Sequence, residues 1–88
     1  IASAEMLREV VHLIAEYGWR ITYLDATILA ERPVLAPFVG QIEKCVAETL
    51  GLGSQDVNVK AKTADGLGFI GRGEGMGALC IATLESAQ

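Results

Sequence analysis

The sequence predicts an α+β fold in the order α-β-α-β-β, with a mixed β-sheet packed on helices. Three observations lead there. Apolar residues recur at helical spacing in two stretches, residues 6–17 and 38–50. A β-branched or alternating run follows each stretch after a glycine. The glycines gather between these runs, most densely from Gly66 to Gly77.

In the first helix, Ser3 supplies a cap and Glu5 suits the positive first turn. Met6, Leu7, Val10, Val11, Leu13, Ile14 and Tyr17 form its stripe, and Gly18 stops it. Trp19–Ala30 reads as a well-buried strand, because Ile21, Tyr23, Ala26 and Ile28 sit in a nearly continuous apolar run. Glu31-Arg32-Pro33 marks its end. Pro37 suits the first turn of a second helix. Phe38, Val39, Ile42, Cys45, Val46, Thr49 and Leu50 form the inner face of that helix, and Gly51 closes it. Gly53–Asp56 is a short connection. Val57, Val59 and Ala61 alternate with Asn58 and Lys60, the pattern of a strand with one wet face. Met76–Leu84 is the last strand. Strand, helix, strand implies a right-handed crossover between parallel neighbours. The last two strands are expected to pair as an antiparallel ribbon.

Eighty-eight residues make a single domain, 1–88, or part of one. The chain is 51% apolar, which is rich for a small soluble domain and suits either a compact helix-and-sheet core or apolar surface meant for partner subunits or a further segment. The net charge of −4 leaves no basic patch for nucleic acid. No apolar run approaches the ~20 residues of a membrane span, and no signal peptide is visible. Cys45 and Cys80 lie in apolar surroundings without metal-type spacing, so buried, reduced thiols are expected. His12 is the only histidine and has no ligand partners near it in sequence, so a structural or exposed role is expected.

The segment richest in chemistry is Val57–Gly75, VNVKAKTADGLGFIGRGEG. Lys62, Thr63 and Asp65 place a cation, a hydroxyl and a carboxylate at a strand end, a set suited to a phosphate and its metal ion. The same residues also suit a solvated turn. Gly66-x-Gly68-x-x-Gly71 matches the dinucleotide fingerprint literally, but Met76–Leu84 carries no helical period to present an N-terminus to a pyrophosphate. Residues 30–36, AERPVLA, read as a strand end and connector. Arg72 and Glu74 read as a surface ion pair beside Phe69.

Val57–Gly75, together with Leu24–Pro37 (LDATILAERPVLAP), resembles the C-terminal signature of the 2-C-methyl-D-erythritol 2,4-cyclodiphosphate synthases. The resemblance runs over essentially the whole chain, which would make residues 1–88 the C-terminal portion of that domain. The family's N-terminal Asp-x-His and later His zinc ligands are not among these residues. The resemblance implies a homotrimeric lyase of the non-mevalonate isoprenoid pathway, with active sites between subunits. Such an enzyme cyclises 4-diphosphocytidyl-2-C-methyl-D-erythritol 2-phosphate and releases CMP. It is cytoplasmic in bacteria or plastidic in eukaryotes.

The resemblance also assigns residues. Ala30, Glu31, Arg32, Pro33, Val34, Leu35 and Ala36 would form the cytidine pocket, mainly through backbone groups; Val34 stands where many relatives have Lys. Lys62, Thr63, Ala64 and Asp65 would form the phosphate edge, with Thr63 steadying the transition state. Asp65, where Glu is commoner, would reach magnesium or manganese. Phe69 and Arg72 would bind an isoprenoid diphosphate in a central channel on the three-fold axis. By the same comparison the chain alone would be inactive, since zinc ligands lie outside it. The reading from another class is a non-catalytic trimeric nucleotide-binding or structural module lacking the metal half.

Overall fold

The structure, a computed structural model, describes residues 3–87; the Ser3 side chain, and with it the expected cap, lies outside the described residues. Helix α1 spans Ser3–Glu16, strand β1 Trp19–Leu29, helix α2 Val39–Leu50 and strand β2 Val57–Lys62. A one-turn helix α3, Gly68–Gly71, precedes strand β3, Gly77–Ser86. The α+β class and the order of the two long helices and three strands match the sequence reading. The α3 turn is an addition.

Backbone chemistry sets the boundaries. Gly51 ends α2 at φ +72°, and its N–H donates to the Ala47 and Glu48 carbonyls. Leu52 N–H reaches Ala47 O at 2.8 Å, which completes a left-handed helix end that glycine adopts without a Cβ penalty. Gly18 ends α1 in the same region, at φ +85°. At the start of α2, Pro37 occupies a 3₁₀ turn, Ala36–Phe38, and the α-helix begins at Val39.

The sheet order is β2-β1-β3. β1 and β2 are parallel, from Leu24↔Val57 to Leu29↔Lys62, joined through α2 as expected. β3 does not pair with β2. It runs antiparallel to β1, from Trp19↔Ser86 to Leu29↔Gly77, with a bulge between Ile21 and Tyr23. The expected β2–β3 ribbon is therefore incorrect. Two features account for this. Val59 N–H on β2 donates to Glu43 Oε2 of α2 at 2.9 Å, so a helix side chain engages the ladder group that a further strand would need. β1, at 11 residues, also outruns β2, at 6, and offers β3 a full-length partner.

The core lies between α2 and one sheet face. Ala47, Val57 and Val59 are buried, with Leu24, Ala26, Ile28, Val39, Ile42, Val46 and Leu52 packed around them. Much apolar surface stays open, including Met6, Val10 and Leu13 on α1, Tyr17 in the turn after it, and Leu79, Ile81 and Leu84 on β3. The radius of gyration is 14.6 Å, against roughly 12 Å expected for a compact chain of this length. The expectation of buried cysteines fails for the same reason: Cys45 and Cys80 are both free and exposed. Cys45 lies about 200° around the helix from Ala47, off the core-facing side, and Cys80 sits on a strand that no helix covers. Partial burial, aided by the Asp25 charge, still pushes the Cys80 thiol up. His12 is exposed on α1, as one of the two readings held.

On the sheet's other face, Asp25 accepts hydrogen bonds from Lys60 Nζ and from Asn58 Nδ2, the latter at 3.4 Å. Asn58 stands directly opposite Asp25 and Lys60 two residues further on, so a one-residue slip would break both bonds. The Lys60 hydrogen bond holds the Asp25 carboxyl below the usual aspartate range; partial burial opposes it, while the Lys60 charge and the Asn58 bond reinforce it. A carboxyl lowered in the fold stabilises above its unfolded value, about 4, and loses that contribution as pH falls through the folded value. Chemical denaturation of wild type and Asp25→Asn should therefore show wild type more stable at neutral pH, with the gap closing below about pH 4. A gap constant from neutral pH into strong acid would contradict this account of the pair.

Candidate active site

Parallel strands leave a sheet at the same end, so the loops after β1 and β2 emerge side by side. Ala30 N–H donates to Lys62 O at 3.0 Å and carries the ladder one step past β1. Beyond it the chains part around a cavity of ≈ 50 Å³, lined by Ala30, Val34, Leu35, Ala36, Ala61, Lys62 and Thr63. This is the carboxyl end of the strands, where open α/β sheets bind ligands.

The two predicted segments thus meet at one place. Ala30, Val34, Leu35 and Ala36 supply an apolar floor with backbone groups, and Lys62 and Thr63 supply the polar side. At ≈ 50 Å³ the cavity is well below the roughly 300 Å³ of a typical small-molecule pocket. Sequence reasoning omitted Ala61, which lines the cavity from the end of β2.

Thr63 and Asp65 belong to one tight turn. Thr63 Oγ1 donates to Asp65 Oδ1 at 3.3 Å and accepts from Asp65 N–H at 3.3 Å. Asp65 sits at φ +53°, a left-handed conformation that asparagine and aspartate tolerate better than most residues. Both side chains are exposed beside the cavity. Glu31 lies behind the turn, where its Oε1 accepts from Ala64 N–H at 3.1 Å and Gly66 N–H at 3.5 Å. Arg32 and Pro33 are exposed and do not line the cavity.

Phe69 and Arg72 do not line it either. Arg72 Nε donates to Glu74 Oε1 at 3.0 Å, an exposed pair as its residue types suggested. Phe69 closes over Gly75, where an added Cβ would sit 3.0 Å from the ring. Gly71 serves close backbone approach, since a Cβ there would lie 2.1 Å from the Gly66 carbonyl carbon, whereas Gly66, Gly68 and Gly73 sit at positive φ with open space around them. The segment holds only the one-turn helix α3 and then β3, so the dinucleotide motif lacks its helix, as anticipated.

Among the described residues no group of three or more His, Cys, Asp or Glu is arranged to hold a metal ion. No helix among them is long and apolar enough to cross a membrane.

The YgbB family model matches residues 1–85. The chain belongs to the YgbB family. It is 48% identical over 85 residues to the 2-C-methyl-D-erythritol 2,4-cyclodiphosphate synthase of Desulfatibacillum aliphaticivorans, covering 97% of this chain and 55% of that protein. The chain spans about half the length of the curated YgbB relatives it matches. Among solved structures, the bifunctional IspDF of Campylobacter jejuni superposes with a TM-score of 0.93 at 35% identity, over 98% of this chain and 23% of that one. The CDP complex of Plasmodium falciparum IspF superposes with a TM-score of 0.89 at 26% identity, over 98% of this chain and 55% of that one.

Proposed function

We propose that these residues form the nucleotide- and phosphate-binding wall of a 2-C-methyl-D-erythritol 2,4-cyclodiphosphate synthase. The substrate is 4-diphosphocytidyl-2-C-methyl-D-erythritol 2-phosphate. An oxygen of its 2-phosphate attacks the β-phosphorus of the diphosphate. The new P–O bond closes the ring, and the bond from that phosphorus to the bridging oxygen breaks, so CMP leaves with the electron pair. The nucleophile belongs to the substrate, which leaves positioning and charge neutralisation to the protein. The observation that carries this reading is the convergence of residues 30 and 34–36 with residues 61–63 on one cavity. The CDP bound to the Plasmodium falciparum relative supports a cytidine nucleotide as the ligand.

In this reading the backbone of residues 30–36 meets the cytosine edge, and Lys62 adds a cation near the phosphates. Thr63 Oγ1 exchanges its bond to Asp65 for one to a phosphate oxygen. Asp65 offers one exposed carboxylate, which fits a magnesium or manganese ion held largely by substrate phosphates. Such an ion, when bound, neutralises phosphate charge. Zinc finds no ligand set among the described residues, and its ligation falls to other residues of the enzyme. The catalytic unit is a homotrimer with sites between subunits. The open apolar stripes on α1 and β3 support assembly, since contiguous exposed apolar surface is costly in an isolated domain. Phe69 and Arg72 face the trimer's central channel, where an isoprenoid diphosphate binds.

In a complete enzyme containing this sequence, Thr63→Ala should lower kcat roughly ten- to a hundredfold with a smaller change in KM, the loss of one charge-assisted bond that tightens in the transition state. Asp65→Asn should raise the magnesium requirement, so excess magnesium should rescue it and do little for Thr63→Ala. Steady-state kinetics across a magnesium series reads both; equal rescue, or a fully active Thr63→Ala, would return these residues to a plain turn. Sedimentation equilibrium of the 88-residue chain should report a trimer. A well-folded monomer at tens of micromolar would contradict the assembly.

A further inference from the structure

We infer that Glu31 is a positioning residue: its carboxylate latches the loop after β2 to the loop after β1 and so holds Thr63 and Asp65 in place. The inference rests on the site reading above but assigns the Glu31 side chain a task separate from touching substrate.

The geometry is specific. Glu31 directly follows Ala30, the last residue of the β1–β2 ladder, and is half-buried. Its Oε1 accepts the amides of Ala64, at 3.1 Å, and of Gly66, at 3.5 Å. Those two amides flank Asp65, whose backbone is left-handed at φ +53°. A non-glycine residue persists in that region only where its surroundings hold it. Within the turn, support comes from the Thr63–Asp65 bonds and from Leu67 N–H to Ala64 O at 3.0 Å. Thr63 and Asp65 cannot serve a phosphate and keep their mutual bonds at full strength. The Leu67–Ala64 bond and the Glu31 contacts both survive ligand binding, and of these only Glu31 ties the turn to the loop after β1; it approaches from the side of Ala64 and Gly66 and does not line the cavity. It also joins the loop proposed to read cytidine to the turn proposed to hold phosphate.

The first test uses amide hydrogen exchange on the unliganded chain, which needs no activity. Glu31→Ala should speed exchange at Ala64 and Gly66 at least about tenfold while the core amide of Ala26 stays protected. Glu31→Gln, whose carbonyl oxygen still accepts an N–H, should retain most of the protection. Glu31→Asp, one methylene shorter, should behave like Glu31→Ala, and it decides the matter if the alanine variant fails to fold. Unchanged protection at Ala64 in Glu31→Asp would overturn the latch.

The second test uses a complete enzyme carrying the same variants. Glu31→Ala should lower kcat roughly a hundredfold, the scale set by a misplacement of about 1 Å, with KM within about threefold. Glu31→Gln should recover most of that rate. Equal losses in Glu31→Ala and Glu31→Gln, or a loss confined to KM, would overturn the positioning role. If the exchange result holds while the wild-type enzyme shows no cyclase activity, the latch stands and the proposed reaction fails.

Discussion

The parallel ladder between β1 and β2, registered from Leu24↔Val57 to Leu29↔Lys62, is the interaction on which the rest depends. Two kinds of contact fix it. Val57 and Val59 bury against α2 and meet Leu24, Ala26 and Ile28 on the same face. On the opposite face, Asp25 holds Asn58 and Lys60. A slip of one residue would turn the valines out of the core and separate the charges. Parallel direction then brings both strand ends to one edge, and that alone places residues 30–36 beside residues 62–66. The site follows from the ladder, with Glu31 joining the two loops where the strands end.

The same sheet explains why the chain is open. β1 is central and carries a partner on each side, but both long helices leave β3 largely uncovered. Glu43 occupies the Val59 amide of β2, so that edge is blunted, whereas β3 presents Leu79 and Ile81 at 69% and 66% exposure. A small core, an extended ribbon and a cavity too small for a nucleotide agree with one another. The proposed trimer accounts for all of them by covering the apolar surface and supplying the other walls of the site.

Much of this was legible in the residues. Gly18 and Gly51 marked both helix ends because their left-handed backbone is a local requirement. The alternation in Val57–Ala61 announced β2, and strand-helix-strand announced its parallel partner. The resemblance carried by LDATILAERPVLAP and VNVKAKTADGLGFIGRGEG pointed to the two loops before the sheet brought them together, and the family match agrees with it. What stayed hidden was non-local. Nothing near Gly77–Ser86 says that its partner is Trp19–Leu29 rather than β2; the choice turns on Glu43, which lies on a helix, and on the greater length of β1. Glu31 and Ala64 stand 33 positions apart, and no spacing rule joins them. The cysteines misled because apolar neighbours in sequence imply burial only where something packs against them.

The central claim is that the two loops make one cytidine-diphosphate site. Titrating the nitrogen-15-labelled chain with CDP, with ADP as control, tests it most directly through the backbone amide shifts. The account predicts that amides in Ala30–Ala36 and in Lys62–Gly66 move together along one binding curve, tighter for CDP than for ADP. Shifts confined to one loop, shifts centred elsewhere in the chain, or equal affinity for the two nucleotides would contradict it.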